Sequence, residues 1–451
     1  MILEGSITRT IFMLSMPTML MGLIQSLIPV IDGLFVNNLV GTDAASAVTY
    51  CTPIVMMMTA LAQGLSVAGM AIIGQMNGRG EVEAGKHVAV QIFVTTFFIG
   101  CALVPLLALV AFPISGHVDK AISHDVFVYL ALNSIIQPFS FLEFVYNAIK
   151  NANGRPEAPF IRMVIMLILK VSFNVLFIAV FNFGIAGSVF ATFVANLLIS
   201  VWMYFELFII RSEDRLEIRG FRFDLEVLKE MFRIGVPSMI STVMLNLGFF
   251  LINNETEKYG PVTLNGQGIA NNITSICFIL PSSFGTSVTT TVSMNVGAGN
   301  GQKAKKSCYV GCLVSAVTAV ILIAVVVPLS PYLTILFTRQ ADVLDVANKA
   351  LHIYTYSVVG FGICMVELGA FIGLGRTVVP LIVNILRVWA LRYVFILATE
   401  RFMGVYSVFW GNLFSNYAAA VITTILLLHI SWVSSIDTKR AEGESAKIAA
   451  R

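Results

Sequence analysis

The chain is a succession of apolar blocks, each about twenty residues or longer, separated by short polar turns. A helix needs about 20 apolar residues to cross the roughly 30 Å hydrocarbon layer, and inside lipid it satisfies its own backbone hydrogen bonds. Twelve blocks qualify, near residues 10–36, 45–75, 87–113, 122–149, 159–182, 184–210, 230–254, 265–296, 306–330, 342–374, 379–399 and 403–432. Composition agrees, since 57% of the 451 residues are hydrophobic and 12% are charged, where soluble domains carry about 25% charge. So little charge excludes a secreted protein, a cytosolic enzyme and a nucleic-acid binder. The expectation is an all-α integral membrane protein of twelve transmembrane helices, multi-pass in the plasma or inner membrane.

Lys and Arg test the order of the blocks. With both termini cytoplasmic, 19 of them fall in inside segments and 4 outside, at Lys120, Lys258, Arg339 and Arg401. Cytoplasmic loops concentrate positive charge, so the count and the orientation support each other. The longest charged stretch, Arg211 to Arg233, reads as a cytoplasmic linker with a short amphipathic helix from about Asp224.

The two sides of that linker are related. Pro17 and Pro237, Gly80 and Gly299, Gly154 and Gly375, and Asn196 and Asn416 lie 219 to 221 residues apart. So constant an offset is an internal duplication of six helices, with both copies starting on the same side and related by an axis along the membrane normal. The expected organisation is an N-terminal lobe at 1–210, a charged linker at 211–229, a C-terminal lobe at 230–432 and a cytoplasmic tail at 433–451. Two pseudo-symmetric lobes suit a transporter rocking about a central site, expected as a monomer in the lipid bilayer. They are hard to motivate for an intramembrane enzyme.

No signature of ATP use is present. The stretch GAGNGQK at 297–303 does not complete a phosphate-binding loop and reads as a helix-ending turn whose glycines permit left-handed backbone. The histidines are scattered, the six cysteines lie in apolar blocks, and no nucleophile elbow occurs. No cofactor or metal centre is expected. The remaining energy source is an ion gradient, and the ion must meet polar groups inside the membrane. Asp32, three residues after Pro29 in the first block, is the first of these. A carboxylate at the centre of a spanning helix costs roughly 2.5–3.5 kcal/mol even on insertion scales, so it is read as functional. The alternative is an interfacial cap.

The stretch IDGLFVNNLVGTDAASAV at 31–48, the MNGRG and VGAGN turns, the NANGRPEAP and GLGRTVVP turns and the GIAGSVFAT entry to the sixth helix resemble the multidrug and toxic compound extrusion (MATE) family. The resemblance runs through both repeats. It implies two six-helix lobes around a central cavity and export of small amphipathic organic cations in exchange for H⁺ or Na⁺. Asp32 falls on the family's helix-one acid, Asn174 on its helix-five asparagine and Thr192 on its helix-six threonine. Together they would form the cation site, for a proton or for Na⁺. Asn174 also reads as an interhelical hydrogen bonder and Thr192 as a small-residue contact.

The chain departs from the family where a second helix-five acid is often found, at Ile178. It departs again where the sodium-linked branch carries acids, around Phe249 and Phe361. A lone carboxylate takes a proton readily but offers a metal few oxygens, which favours proton coupling.

Two more acids lie in spans, Glu143 and Glu367, with Arg162, Lys170, Arg387 and Arg392 at related depths. Each acid reads either as half of a structural ion pair or as a proton relay or substrate anchor. Adjacent antiparallel helices lead to the expectation that Glu367 pairs with Arg387. A lipid-linked precursor flippase of the same superfamily is the alternative function, and it would favour arginines over acids in the cavity.

Overall fold

The computed structural model describes residues 5–40, 42–116, 120–210, 215–218, 220–337 and 339–433. The described residues form helices joined by short turns: α1 Ile7–Leu39, α2 Thr42–Arg79, α3 Val82–Ser115, α4 Lys120–Ala152, α5 Glu157–Asn174 and α6 Gly184–Tyr204 in the first half. The second half holds α7 Leu225–Glu257, α8 Pro261–Gly297, α9 Gly301–Ile335, α10 Ala341–Tyr356, α11 Val358–Gly373, α12 Val378–Ile385, α13 Val394–Met403 and α14 Tyr406–Leu428. π-Helical segments extend α5 (Val175–Val180) and α6 (Phe205–Ile209), and Leu386–Tyr393 joins α12 to α13. Among the described residues eleven helices are long and apolar enough to span a membrane, α5 and α6 counted with their extensions and α12–α13 as one. The pair α10 and α11, bent by 43°, makes the twelfth.

The duplication is written into the turns. Gly80, Gly154, Gly299 and Gly375 all have positive φ, from 71° to 79°, a region an L side chain enters only at a cost. Each closes its helix in the same way. Glu81 N–H bonds Met76 O at 3.0 Å and Arg155 N–H bonds Lys150 O at 2.9 Å, while Asn300 N–H bonds Asn295 O at 2.8 Å and Arg376 N–H bonds Phe371 O at 2.9 Å. These are the long bonds of a glycine-terminated helix end. Asn300 then caps α9, its side chain accepting from Lys303 N–H at 3.1 Å. The GAGNGQK stretch is therefore the helix-ending turn its glycines suggested.

Packing separates the chain into two units, the first Leu23–Met239 and the second made of residues up to Gly22 with those from Ile240 on. The chain was expected to divide at the linker, 211–229; the contacts divide it inside α1 and inside α7. The start of α1 belongs with the second half because Ile11 is buried among Phe284, Val288 and Val292 of α8. Ser15 also donates to Ser287 Oγ at 2.8 Å. The start of α7 belongs with the first half because its backbone meets α2, where a Cβ on Gly235 would lie 3.1 Å from Gly64 O. Asp224 accepts from the backbone of Glu226 and Val227 at 3.0 and 3.3 Å and so caps α7. The short amphipathic helix expected there runs without a break into the seventh span. Residues 211–214, 219 and 434–451, parts of the expected linker and tail, lie outside the described residues.

In the second unit α8 and α11 touch backbone to backbone. A Cβ on Gly369 would sit 2.3 Å from Gly285 O, and Thr289 Oγ1 donates to Gly369 O at 2.8 Å. Small residues allow this approach in lipid, where no hydrophobic force drives helices together. Two substitutions separate turn strain from packing. Gly299→Ala, with open space around it, should cost about 1 kcal/mol through backbone strain alone, and Gly299→Asn should recover part of it. Gly369→Ala forces the helices apart and should cost up to about 3 kcal/mol. Thermal unfolding of the purified variants measures both, and a Gly299→Asn protein no more stable than Gly299→Ala contradicts the turn argument.

Candidate functional site

In the first unit α1 and α5 bring a carboxylate, an amine and an amide together. Asp32 Oδ2 pairs with Lys170 Nζ, and Asn174 Nδ2 donates to Asp32 Oδ1 at 3.1 Å. Lys170 and Asn174 are four residues apart on α5, hence on one face, which is why a single acid on α1 reaches both. Asn174 is wholly buried, and its Oδ1 has no hydrogen-bond partner. The Asp32 side chain keeps 20% of its accessibility, so the carboxylate is neither sealed in nor fully hydrated. The cluster has no net formal charge.

Thr192 does not join this cluster. Its hydroxyl donates to Ser188 O at 2.9 Å in its own helix, and its carbonyl accepts from Asn196 Nδ2 at 2.8 Å. Of the three residues expected at the cation site the structure joins Asp32 with Asn174, and Lys170 adds an ion pair to the same carboxylate. Sequence reasoning assigned Lys170 only to the neutralisation of Glu143 and Glu367, at related depths. The signal for its role was its spacing of four from Asn174.

Glu143 on α4 has the structural ion pair as its partner. Arg162 Nη1 lies 2.8 Å from Glu143 Oε2, with Arg162 only 1% exposed. The approach is angled away from a hydrogen bond, so Glu143 Oε1 and Arg162 Nε and Nη1 stay unbonded. A third pair follows at the end of α6, where Lys150 Nζ is 2.6 Å from Glu206 Oε1 and Tyr146 donates to Glu206 Oε2 at 2.7 Å.

The second unit treats its charges differently. Glu367 on α11 accepts from the Thr423 hydroxyl and from Thr424 Oγ1 at 2.6 Å. Arg387 donates to Asn416 Oδ1 at 3.0 Å and Asn384 Oδ1 at 3.4 Å, with its guanidinium 5.2 Å from the centroid of Phe361. The expected Glu367–Arg387 pair does not form. Depth is the reason: Phe361 is six residues from Glu367, roughly 9 Å along α11, and Arg387 lies level with Phe361. Two threonine hydroxyls of α14 satisfy the acid instead.

Comparison with known proteins places this arrangement. The MatE family model matches twice, over residues 17–176 and 237–397. The two matches begin 220 residues apart, the offset of the glycine turns. The chain belongs to the MatE family. It is a membrane transporter of that family, not an enzyme, and a multi-pass protein of the cell membrane. The MatE chain is 23% identical over 440 residues to a probable multidrug resistance protein, YoeA, of Bacillus subtilis, covering 94% of this chain and 93% of that one. It is 20% identical over 448 residues to the multidrug export protein MepA of Staphylococcus aureus, covering 96% of each. Among solved structures it matches an outward-facing multidrug resistance MATE transporter with a TM-score of 0.87 at 22% identity, over 94% of this chain and 96% of that one. A MATE in a straight conformation matches with a TM-score of 0.90 over the same shares.

The two acids make opposite predictions for this transporter. Glu143→Gln strands a buried guanidinium, and breaking such a pair costs about 3–5 kcal/mol. Adding Arg162→Met should recover much of the loss. Glu367→Gln keeps an oxygen for the threonine hydroxyls and should cost about 1 kcal/mol, with Arg387→Met additive to it. Thermal unfolding of the four single and two double variants measures this. Strong coupling between positions 367 and 387 contradicts the observed partners.

Proposed function

We propose that this transporter is a multidrug exporter that moves amphipathic organic cations out in exchange for protons by alternating access, with Asp32 as the coupling carboxylate. The observation that carries the reading is the Asp32–Lys170–Asn174 cluster inside the first unit's spans. The names of the bacterial relatives, multidrug resistance and multidrug export, support the substrate class.

The chemistry follows from one carboxylate with competing partners. A proton on Asp32 removes the negative charge that holds Lys170, whereas an organic cation needs that charge. Proton and substrate therefore exclude one another at the same oxygens, which is the requirement for exchange. Lys170 neutralises the acid when neither is bound and lowers the cost of an empty site in a low dielectric. Asn174 positions the carboxylate through one oxygen. A sodium ion at this place would have the carboxylate and the free Asn174 Oδ1 as oxygens, few for a metal ion.

Asp32→Asn, which mimics a permanently protonated acid, should bind ethidium more weakly and lose gradient-driven efflux from membrane vesicles by tenfold or more. Asn174→Ala should weaken coupling less, and Thr192→Ala least. Replacing sodium by potassium at fixed pH should leave efflux unchanged. Wild-type efflux by Asp32→Asn, or efflux abolished by removing sodium, would falsify the reading.

A further inference from the structure

Arg387 and Arg392 sit in the π-helical segment Leu386–Tyr393, near the middle of the span Val378–Met403. A π-helix bonds residue i to i+5, so residues five apart fall on one face of the segment. Each residue is 6% exposed. None of the ion pairs among the described residues includes either arginine. Their partners are uncharged. Arg387 has two asparagine oxygens and the ring of Phe361, while Arg392 lies 6.0 and 5.9 Å from the centroids of Phe249 and Tyr354.

The contrast with the first unit is direct. There Lys150, Arg162 and Lys170 each meet a carboxylate; here two cations at mid-span meet none. Donors are left over as well. Arg387 Nε, Arg392 Nε, the Tyr354 hydroxyl and Gln267 Nε2 are buried without a hydrogen-bond partner. Tyr354 faces both Gln267 and Arg392. These groups come from α8, α10 and the π-helical segment, all within the second unit. Water could fill the donors, but a neutral molecule leaves two like charges uncompensated in a low dielectric. An oxyanion meets both needs, since it carries the opposite charge and several acceptor lone pairs, and guanidinium is the side chain that matches it best. The rings of Phe249 and Phe361 beside the arginines suit an apolar body attached to it.

We propose that Arg387 and Arg392, with Tyr354 and Gln267, form a binding site in the second unit for the oxyanion, carboxylate or phosphate, of an amphipathic molecule. The site is separate from the Asp32 cluster and does not depend on the coupling role proposed for that acid. The oxyanion has two sources, a soluble amphipathic acid or the headgroup of an anionic lipid.

The test uses the purified full chain in nanodiscs of phosphatidylcholine and two xanthene dyes, fluorescein, which carries a carboxylate, and rhodamine 6G, its cationic ester counterpart. Fluorescence anisotropy should show fluorescein binding that weakens tenfold or more in Arg392→Gln and less in Arg392→Lys. Rhodamine 6G affinity should change by less than twofold. Phosphatidylglycerol added to the discs should displace fluorescein if lipid is the source, and leave it bound if a solute is. Should Arg392→Gln fail to fold, the wild type decides alone: fluorescein or phosphatidylglycerol should raise its unfolding temperature and rhodamine 6G should not. Equal fluorescein affinity in wild type and a folded Arg392→Gln, or no thermal shift of the wild type with either anion, overturns the proposal.

Discussion

A charge inside a membrane protein must have a partner, and this protein is organised around how each half meets that demand. Ionised groups lose their hydration on entering the bilayer, and the loss reaches several kcal/mol per group even after the surroundings relax. The first unit answers with acid–base pairs, Asp32 with Lys170, Glu143 with Arg162 and Glu206 with Lys150. The second answers with dipoles and rings: threonine hydroxyls on Glu367, asparagine oxygens and aromatic faces on the arginines. The backbone was duplicated; the charge chemistry diverged.

That divergence gives the halves different capacities. An acid already held by an amine gains one positive charge in its surroundings when a proton or an organic cation arrives, which disfavours holding both at once. Guanidiniums held only by neutral groups gain most from an arriving anion. Both clusters lie beside π-helical segments, after Asn174 in one half and around Arg387 in the other. A widened turn re-aims the side chains that follow it and leaves backbone groups less tightly committed.

Most of the fold was legible in the sequence because it rests on local rules. Apolar block length marks a span, and a glycine after a helix marks its end. The constant offset between Gly80 and Gly299, and between Gly154 and Gly375, marks the repeat. Long-range partners were legible only in part. Asp32 and Asn174 were paired through family resemblance, and the structure joins them. Lys170 was missed because four-residue spacing was not followed from Asn174. The Glu367–Arg387 pair failed because helix order fixes which helices are neighbours but not the rotation or depth of a side chain. The π-helical turn at Leu386–Tyr393 changes both, and nothing in the apolar pattern announces it. The sharing of α1 and α7 between units was equally invisible, since the linker is where composition changes and packing follows shape.

The central claim is that a substrate cation and a proton compete for the carboxylate of Asp32. The most direct measurement is proton release on substrate binding, followed with a pH indicator in weakly buffered detergent solution as ethidium is added to purified protein below neutral pH. The account predicts release of up to one proton per ethidium bound, and from Asp32→Asn weakened ethidium binding with no proton release. Undiminished proton release from Asp32→Asn, or ethidium binding to the wild type with no proton released at any pH, would contradict it.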